Sequence, residues 1–267
     1  MAGVHDHAGT GVEPSQTVLT ALVLLGAGGG YLLLARRARR RNPARSWNAW
    51  RSVSFLAGLA LLALALLPPL ASAAAHGDFR GHMVQHMLIG MYAPLALVLA
   101  APVTLLLRTL PQTSALRVTA VLRSRPAQVL AHPAVALALS TGSLGLLYFT
   151  PLFNTAMQHP SGHWLMHSHF LASGCLFAYV MAGPDPAPAR PRVPTRLIYL
   201  GIAVTAHALI AQAMYGGFFV HIAAAIRQVQ QGAEIMYYGG DVAELLLAVA
   251  LVATWRPDRH TRAALPR

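Results

Sequence analysis

Cysteine, lysine and charge are the scarce features of this sequence. Cys175 is the only cysteine, which excludes an intrachain disulfide and any metal site that requires a pair of thiolates. Lysine is absent, so all 20 basic residues are arginine. Charged residues make up only 10% of the chain, whereas about 25% is usual in a soluble domain. With 55% of its residues hydrophobic, the chain is expected to lie mostly within a membrane.

Apolar runs of about 20 residues, the length that crosses a bilayer as a helix, recur along the chain. They predict an all-α fold: a polytopic membrane helix bundle with seven transmembrane helices. In the third span, Pro94 and Pro102 are expected to kink the helix because proline removes a backbone donor. The predicted spans are about 17–35, 53–71, 80–107, 134–149, 163–182, 195–221 and 240–255. Residues 1–16 then form an extracytoplasmic tail, 17–255 the transmembrane domain and 256–267 a cytoplasmic arginine-rich tail.

The arginines predict the orientation of the bundle. Eighteen of them fall in the loops after spans one, three and five and in the C-terminal tail, and only Arg80 and Arg227 fall on the other side. Because positive loops stay in the cytoplasm, we expect the N-terminus outside and the C-terminus inside. The same placement explains the net charge of +12 without a nucleic-acid partner. The N-terminus lacks a positive region, so the first span is expected to act as its own insertion signal.

The segment HGDFRGHMVQHMLIGMYAP, at the start of the third span, contains the strongest candidate site. His82 and His86 are four residues apart, and Met83, Met87 and Met91 repeat the same spacing. On a helix these residues form adjacent stripes of imidazoles and thioethers. Imidazole suits copper, zinc, iron and nickel, and thioether selects copper(I). The alternative is a pair of interfacial histidines beside flexible methionines that only fill a core.

A second histidine-rich segment, HPSGHWLMHSH, opens the fifth span. His163 and His167 share a helix face, whereas His169 points about two-thirds of a turn away. This pair lies at the same predicted membrane level as the third-span histidines, so the two helices are expected to contribute halves of one outer-face site. The alternative is an interfacial belt of polar and aromatic residues around Trp164.

Polar residues in the last two spans extend this candidate site. His207, Met214 and His221 are seven apart and are predicted on one face of the sixth span, as a ladder of transfer sites or as a polar contact between helices. Asp241 and Glu244 share a face at the outer end of the seventh span. Such carboxylates can orient ligating histidines or act as favourable charges at a helix N-terminus. Glu244 lies a turn deeper and is retained as a candidate at the metal site.

The segment HGDFRGHMVQHMLIGMYAPLALVLAAPVTLLLR resembles the third-span signature of the CtaG family of cytochrome c oxidase assembly factors. HWLMHSHFLASGCLF and MYYGGDVAELLLAVALVATW are similar to segments of the same family, and the likeness covers about residues 55–255. The family consists of seven-span proteins of the bacterial plasma membrane. The resemblance implies an assembly factor of the respiratory chain rather than an enzyme. It also implies copper supply to cytochrome c oxidase subunits or to another copper carrier.

The residues leave three functions open. The first is an assembly factor that holds copper, as copper(I), on the outer face of the membrane. The second is a zinc-dependent membrane hydrolase, with three protein ligands and an open position for water. The third is a membrane cytochrome with haem held by one histidine from each of two helices. The candidate metal ligands are His82, Met83, His86, Met87, His163, His167 and Glu244. The sequence does not determine the oligomeric state.

Overall fold

A computed structural model describes residues 14–75, 77–187 and 190–255, and these residues form helices and loops with no strand among them. The predicted all-helical fold is therefore confirmed. Two π-helical segments, Leu88–Tyr92 and Ala138–Gly142, interrupt longer helices, and Pro43–Arg45 is a 3-10 turn. The α-helices are α1 (Pro14–Arg41), α2 (Ala49–Leu66), α3 (Leu70–Ala75), α4 (Phe79–Met87), α5 (Ala93–Leu99), α6 (Pro102–Thr109), α7 (Gln112–Leu122), α8 (Arg125–Leu130), α9 (Pro133–Leu137), α10 (Ser143–Tyr148), α11 (Leu152–Met157), α12 (Pro160–Ala182), α13 (Val193–Tyr215) and α14 (Ile226–Ala253).

Six helical stretches of the described chain are long and apolar enough to cross a membrane. They are Pro14–Arg41, Ala49–Leu66, Phe79–Thr109, Ser161–Ala182, Val193–Tyr215 and Ile226–Ala253. The predicted fourth span forms a shorter apolar helix, Pro133–Tyr148. It falls below the length of about 20 residues that a hydrocarbon core usually requires. The seventh crossing therefore stays a prediction.

The boundaries of the last two long helices differ from the prediction. α13 ends at Tyr215 rather than at residue 221, because a pair of glycines follows and Gly217 adopts a φ of 72°. α14 begins at Ile226 rather than at residue 240. The prediction missed its first turns because they contain arginine and glutamine, which lower the hydropathy of that stretch. His221 therefore lies in the loop between these helices, and the prediction that it shares a helix face with other candidates is wrong.

The third span is irregular near both of its prolines. The π-helical segment Leu88–Tyr92 immediately precedes the turn that contains Pro94. Ala101 adopts a left-handed φ of 53° directly before Pro102. A proline lacks the N–H that would continue the helical hydrogen-bond ladder, and both prolines lie in the first turn of a helix, where this N–H is not needed. The regular α-helix is interrupted near both prolines, and the predicted kinks stay predictions.

The third span also forms the centre of the bundle. α4 packs against α14, and α5 packs against α2 and α12. Where α12 crosses the π-helical segment, Gly174 lies so close to the carbonyl group of Gly90 that a Cβ on Gly174 would overlap it. Small residues at such crossings let two helix backbones approach each other. The third span and α12, which carry the two histidine pairs, are therefore held next to each other at this crossing.

Large apolar side chains cover the outward faces of the long helices. The exposed ones include Val18, Leu22 and Leu25 on α1, Ile198 and Leu209 on α13, and Leu245, Val249 and Val252 on α14. A soluble monomer rarely exposes continuous apolar faces of this extent. In a bilayer such faces contact lipid tails, while the helices satisfy their backbone hydrogen bonds internally. The architecture is that of a multi-pass membrane protein.

The described arginines of three predicted cytoplasmic loops lie at one end of the bundle. Arg41 donates a hydrogen bond to the carbonyl of Thr109 at 2.6 Å. The guanidinium groups of Arg51 and Arg108 both lie over the ring of Trp47, at 4.7 and 5.4 Å from its centroid. One cavity at this end is lined by Arg51, Arg190, Arg192 and Arg196. The loops therefore share an end, as the arginine pattern predicts, and the side of the membrane stays a prediction.

Candidate metal site

α4 places both third-span histidines in the interior of the protein. Gly77 turns the chain with a φ of 81°, and the Asp78 carboxylate caps α4 by accepting a hydrogen bond from the backbone N–H of Arg80 at 3.0 Å. The Arg80 guanidinium also donates to this carboxylate, and this hydrogen bond holds the pKa of Asp78 below its usual range. Deeper in the helix, His82 and His86 are only 1% and 3% exposed.

The rings of these two histidines contact aromatic side chains. His82 Nε2 lies 3.2 Å from the hydroxyl of Tyr148, and its ring centroid lies 4.8 Å from that of Phe153. The His86 ring lies 4.4 Å from the ring of Phe170 on α12. His82 Nδ1 and both ring nitrogens of His86 are buried and have no hydrogen-bond partner. Buried polar atoms normally have partners, so these nitrogens call for an explanation.

α12 contributes the second histidine pair, at the end of the bundle where α4 begins. The ring centroids of His163 and His167 are 4.1 Å apart, as expected for side chains one helical turn apart. Both rings are half-buried, and the Nε2 atom of each has no hydrogen-bond partner. The ring centroid of Phe170, on the same helix, lies 4.4 Å from that of His86 and 6.4 Å from that of His82, so α12 packs against both third-span histidines. The third-span histidines therefore contact the helix that carries the second pair, and the grouping of the four imidazoles into one site stays a prediction.

The methionines of α4 lie on another side of the helix. Met83 and Met87 are buried against α14, where their side chains face Gly232 and Gly239. A Cβ placed on Gly239 would lie 3.5 Å from the terminal methyl carbon of Met87. Met91 instead lines a small interior cavity beside His86. The first two thioethers therefore face α14, whereas Met91 lies at the same cavity as His86 and does not continue their stripe.

Glu244 lies with His207 rather than with the histidine pairs. His207 Nδ1 is 3.9 Å from Glu244 Oε1, and both side chains are buried. The His207 ring lies directly on the backbone of Gly240, where a Cβ would overlap the ring. His207 Nε2 and Glu244 Oε2 have no hydrogen-bond partner. Both residues line the interior cavity of about 60 Å³ that His86 also lines, so this cavity joins His86 of the third-span pair to His207 and Glu244.

In the described part of the chain, no three histidine, cysteine or acidic side chains are already placed around a common metal position. His76, the first histidine of the third-span segment, lies outside the described residues. His169 is held elsewhere, because its Nε2 lies 3.1 Å from the carbonyl oxygen of Leu139 and 3.0 Å from Ser143 Oγ. A bound ion would therefore require the neighbouring imidazoles to turn toward one another.

Two side chains at this site escaped the sequence interpretation. Tyr148 is fully buried and contacts His82, although it stands alone at the end of an apolar run, where no spacing marks it. Gln85, between the two third-span histidines, donates to the carbonyl of Ala65 at 2.8 Å, and its own carbonyl oxygen has no partner. The signal that could have marked Gln85 in the sequence is a polar amide between two histidines at the start of an apolar span.

Comparisons with known proteins place this arrangement in a family. Uncharacterised proteins of Mycobacterium bovis and Mycobacterium tuberculosis are each 33% identical to it over 262 residues, which cover 89% of this chain and 39% of theirs. One from Mycobacterium leprae is 31% identical over 90% of this chain and 38% of its own. The chain thus spans about two fifths of the length of these relatives, and no solved structure matches it. Residues 29–258 match the family described as cytochrome c oxidase caa3 assembly factor. The chain therefore belongs to this family of oxidase assembly factors and is a multi-pass protein of the bacterial plasma membrane.

Proposed function

We propose that this protein holds copper(I) at its histidine-rich end, on the outer side of the membrane, and passes it to an oxidase subunit or to another copper carrier. The observation that supports the proposal is a group of five buried ring nitrogens without partners, from His82, His86, His163 and His167 on two adjacent helices. Leaving a buried polar atom unpaired costs about 1–3 kcal/mol. A bound ion would compensate this cost for several of these atoms at once.

The donor set suits an ion that has to leave again. Imidazole binds copper well, but the site has no thiolate, because Cys175 packs in the core at the other end of α12. Copper held by neutral nitrogen donors is exchanged more readily than copper held by a pair of thiolates. In this proposal the imidazoles turn about their side-chain bonds to meet the ion and turn back when it leaves. A carrier needs such reversible binding, and an enzyme active site does not.

Removing one imidazole from each helix tests the proposed site. The double variant His86→Ala, His167→Ala is expected to lose stoichiometric copper(I) binding, measured by competition with a chromogenic copper(I) chelator on the purified protein. His132→Asn serves as the control, since His132 Nδ1 caps α9 in another part of the molecule and asparagine preserves that cap. Equal copper binding by the double variant and the control would contradict the site. Cells that carry the double variant are also expected to lose oxidase activity.

The methionines require a separate test, because Met83 and Met87 face α14 rather than the imidazoles. In the double variant Met83→Leu, Met87→Leu, apolar volume is largely preserved while both thioethers are removed. Stoichiometric binding with a weakened preference for copper(I) over zinc would assign the sulfur atoms to the ion. An unchanged preference would assign them to packing alone. Either result leaves the four histidines as the core of the proposal.

The same preparation distinguishes the two other functions that the residues allow. A haem held between His86 and His167 would give a strong Soret band in the visible spectrum. A zinc hydrolase would retain zinc and cleave an ester or an amide. Copper as the main bound metal, without a Soret band and without hydrolysis, is the expected result.

A further inference from the structure

The arginine-rich end of the bundle contains a wide cavity that the proposed metal site does not use. Its volume is about 950 Å³, and it lies between the start of α2, the end of α12, the start of α13 and the end of α14. Four arginines line it: Arg51, Arg190, Arg192 and Arg196. The cavity is therefore a concentrated region of positive charge at one end of the membrane-spanning helices.

Two of these arginines are held by hydrogen bonds to backbone carbonyls, and each still has an N–H group that donates to no acceptor. Arg196 is only 8% exposed, and its Nη1 donates to the carbonyl of Met181. Arg190 Nη2 donates to the carbonyl of Tyr179 at 3.0 Å and to that of Asp185 at 3.1 Å. The Nε atom of each guanidinium is buried without a hydrogen-bond partner. In the described part of the chain neither guanidinium forms an ion pair with a carboxylate, so an anion held in the cavity would offset the cost of burying their charge.

The carboxylate of Asp185, which lines the cavity, does not neutralise the positive charge of the arginines. Asp185 is the one acidic residue among those that line the cavity, and its carboxylate is engaged at the start of α6. It accepts hydrogen bonds from the backbone N–H groups of Val103 and Thr104, at 3.1 and 2.7 Å, and from the Thr104 hydroxyl. Four arginines and one aspartate leave a formal charge of +3 around the cavity. The N-terminus of α13 adds the positive end of a helix dipole.

We propose that this cavity binds the phosphate group of an anionic phospholipid. Planar guanidinium groups recognise phosphate oxygens through paired N–H donors, and basic pockets at helix ends are known sites for acidic lipid headgroups. The surroundings favour a lipid over a soluble anion. Exposed Leu197 and Ile198 follow directly on α13, and exposed Trp255 lines the cavity edge. These side chains offer an apolar surface for acyl chains next to the phosphate position.

The test uses the purified full chain in a neutral detergent. Phosphatidylglycerol is expected to raise its unfolding midpoint by several degrees, whereas phosphatidylcholine and inorganic phosphate are not. The double variant Arg190→Gln, Arg192→Gln is expected to lose most of this shift. Arg36→Gln, Arg37→Gln serves as the control, because it removes the same charge from exposed positions on α1. If this control loses the shift equally, the effect is general surface charge and the cavity site is wrong.

Arg190 also holds backbone carbonyls, so its replacement can weaken the fold. The single variant Arg192→Gln changes an exposed side chain and keeps these contacts. It is expected to weaken phosphatidylglycerol binding about tenfold, as loss of one hydrogen bond to a charged group does. Unchanged binding in this variant would contradict the proposal. A shift produced equally by inorganic phosphate would overturn the lipid as the source and leave a site for soluble phosphate. Loss of copper binding in the histidine variants has no bearing on this result.

Discussion

At the histidine-rich end, the contact between Tyr148 and His82 orients one imidazole ring. The Tyr148 hydroxyl contacts one nitrogen of the His82 ring, which leaves the other nitrogen without a partner. Phe79 and Phe153 surround the same ring. The imidazole is therefore oriented by an aromatic enclosure and one polar contact. Such partners fix the orientation of a ligating ring and the nitrogen that it presents.

Replacing Tyr148 by phenylalanine tests this role. The variant keeps the aromatic packing but leaves His82 Nε2 buried without a partner, so we expect a loss of about 1–3 kcal/mol in stability. Copper stoichiometry is expected to stay unchanged, because the tyrosine only positions the ring. Thermal unfolding and copper titration measure the two quantities. Tyr238→Phe, at an exposed tyrosine, is the control and should change neither. A loss of bound copper in Tyr148→Phe would instead make the tyrosine a ligand.

At the scale of helices, two irregular segments shape the site. The π-helical turn before Pro94 lies against α12, and the turn at Ala138–Gly142 exposes the carbonyl of Leu139, which His169 contacts. Such turns leave backbone groups outside the regular ladder. In the second turn the side chain of His169 contacts such a group, and in the first turn Gly174 packs closely against the carbonyl of Gly90. His169, a weaker candidate ligand in the sequence, is thereby assigned to holding α12 beside the shorter apolar helix.

The crossing at Gly174 is expected to tolerate no larger residue. Gly174→Ala would place a methyl group against the carbonyl of Gly90 and force α12 away from the third span, at a cost of about 1–3 kcal/mol. Gly201→Ala, on the exposed face of α13 where no atom lies within 4 Å of the added Cβ, should be neutral or stabilise the protein by up to about 1 kcal/mol. Unfolding midpoints of both variants measure the difference. Equal midpoints would show that the crossing has room to relax.

At the scale of the whole molecule, one end contains the histidine pairs and the other contains the arginine-lined cavity. This separation agrees with a bundle whose loops alternate between an arginine-poor and an arginine-rich side. The number of crossings decides which loops share a side. The helix Pro133–Tyr148 is the deciding element, because it is apolar but short.

Cysteine labelling determines whether this helix crosses the membrane. In a Cys175→Ala background, Ser46→Cys lies in the loop between α1 and α2, and Gln158→Cys lies between α11 and α12; both positions are exposed. With seven crossings and an external N-terminus, a membrane-impermeant maleimide should label position 158 in intact cells and position 46 only after permeabilisation. If Pro133–Tyr148 does not cross, both positions lie on the same side and are protected together. That result would exclude the seven-span topology.

The sequence by itself determined the helical class, the membrane setting, the helix interruptions near two prolines and the spacing of the two histidine pairs. Each of these depends on local composition or on a spacing of four along one helix, which chain geometry alone converts into a shared face. Pro94 and His167 could be placed along their own helices without any information about neighbouring segments.

Only the tertiary structure decided which helices meet. The contact of Tyr148 with His82, the pairing of His207 with Glu244 and the separation of Met83 from the imidazoles join residues on different helices. No periodicity in one segment specifies such neighbours, because helix packing depends on the fit of two surfaces and on small residues at their crossing. The polar first turns of α14 were not predicted for a related reason. Hydropathy does not mark them as part of a membrane span, and tertiary packing stabilises them as helix.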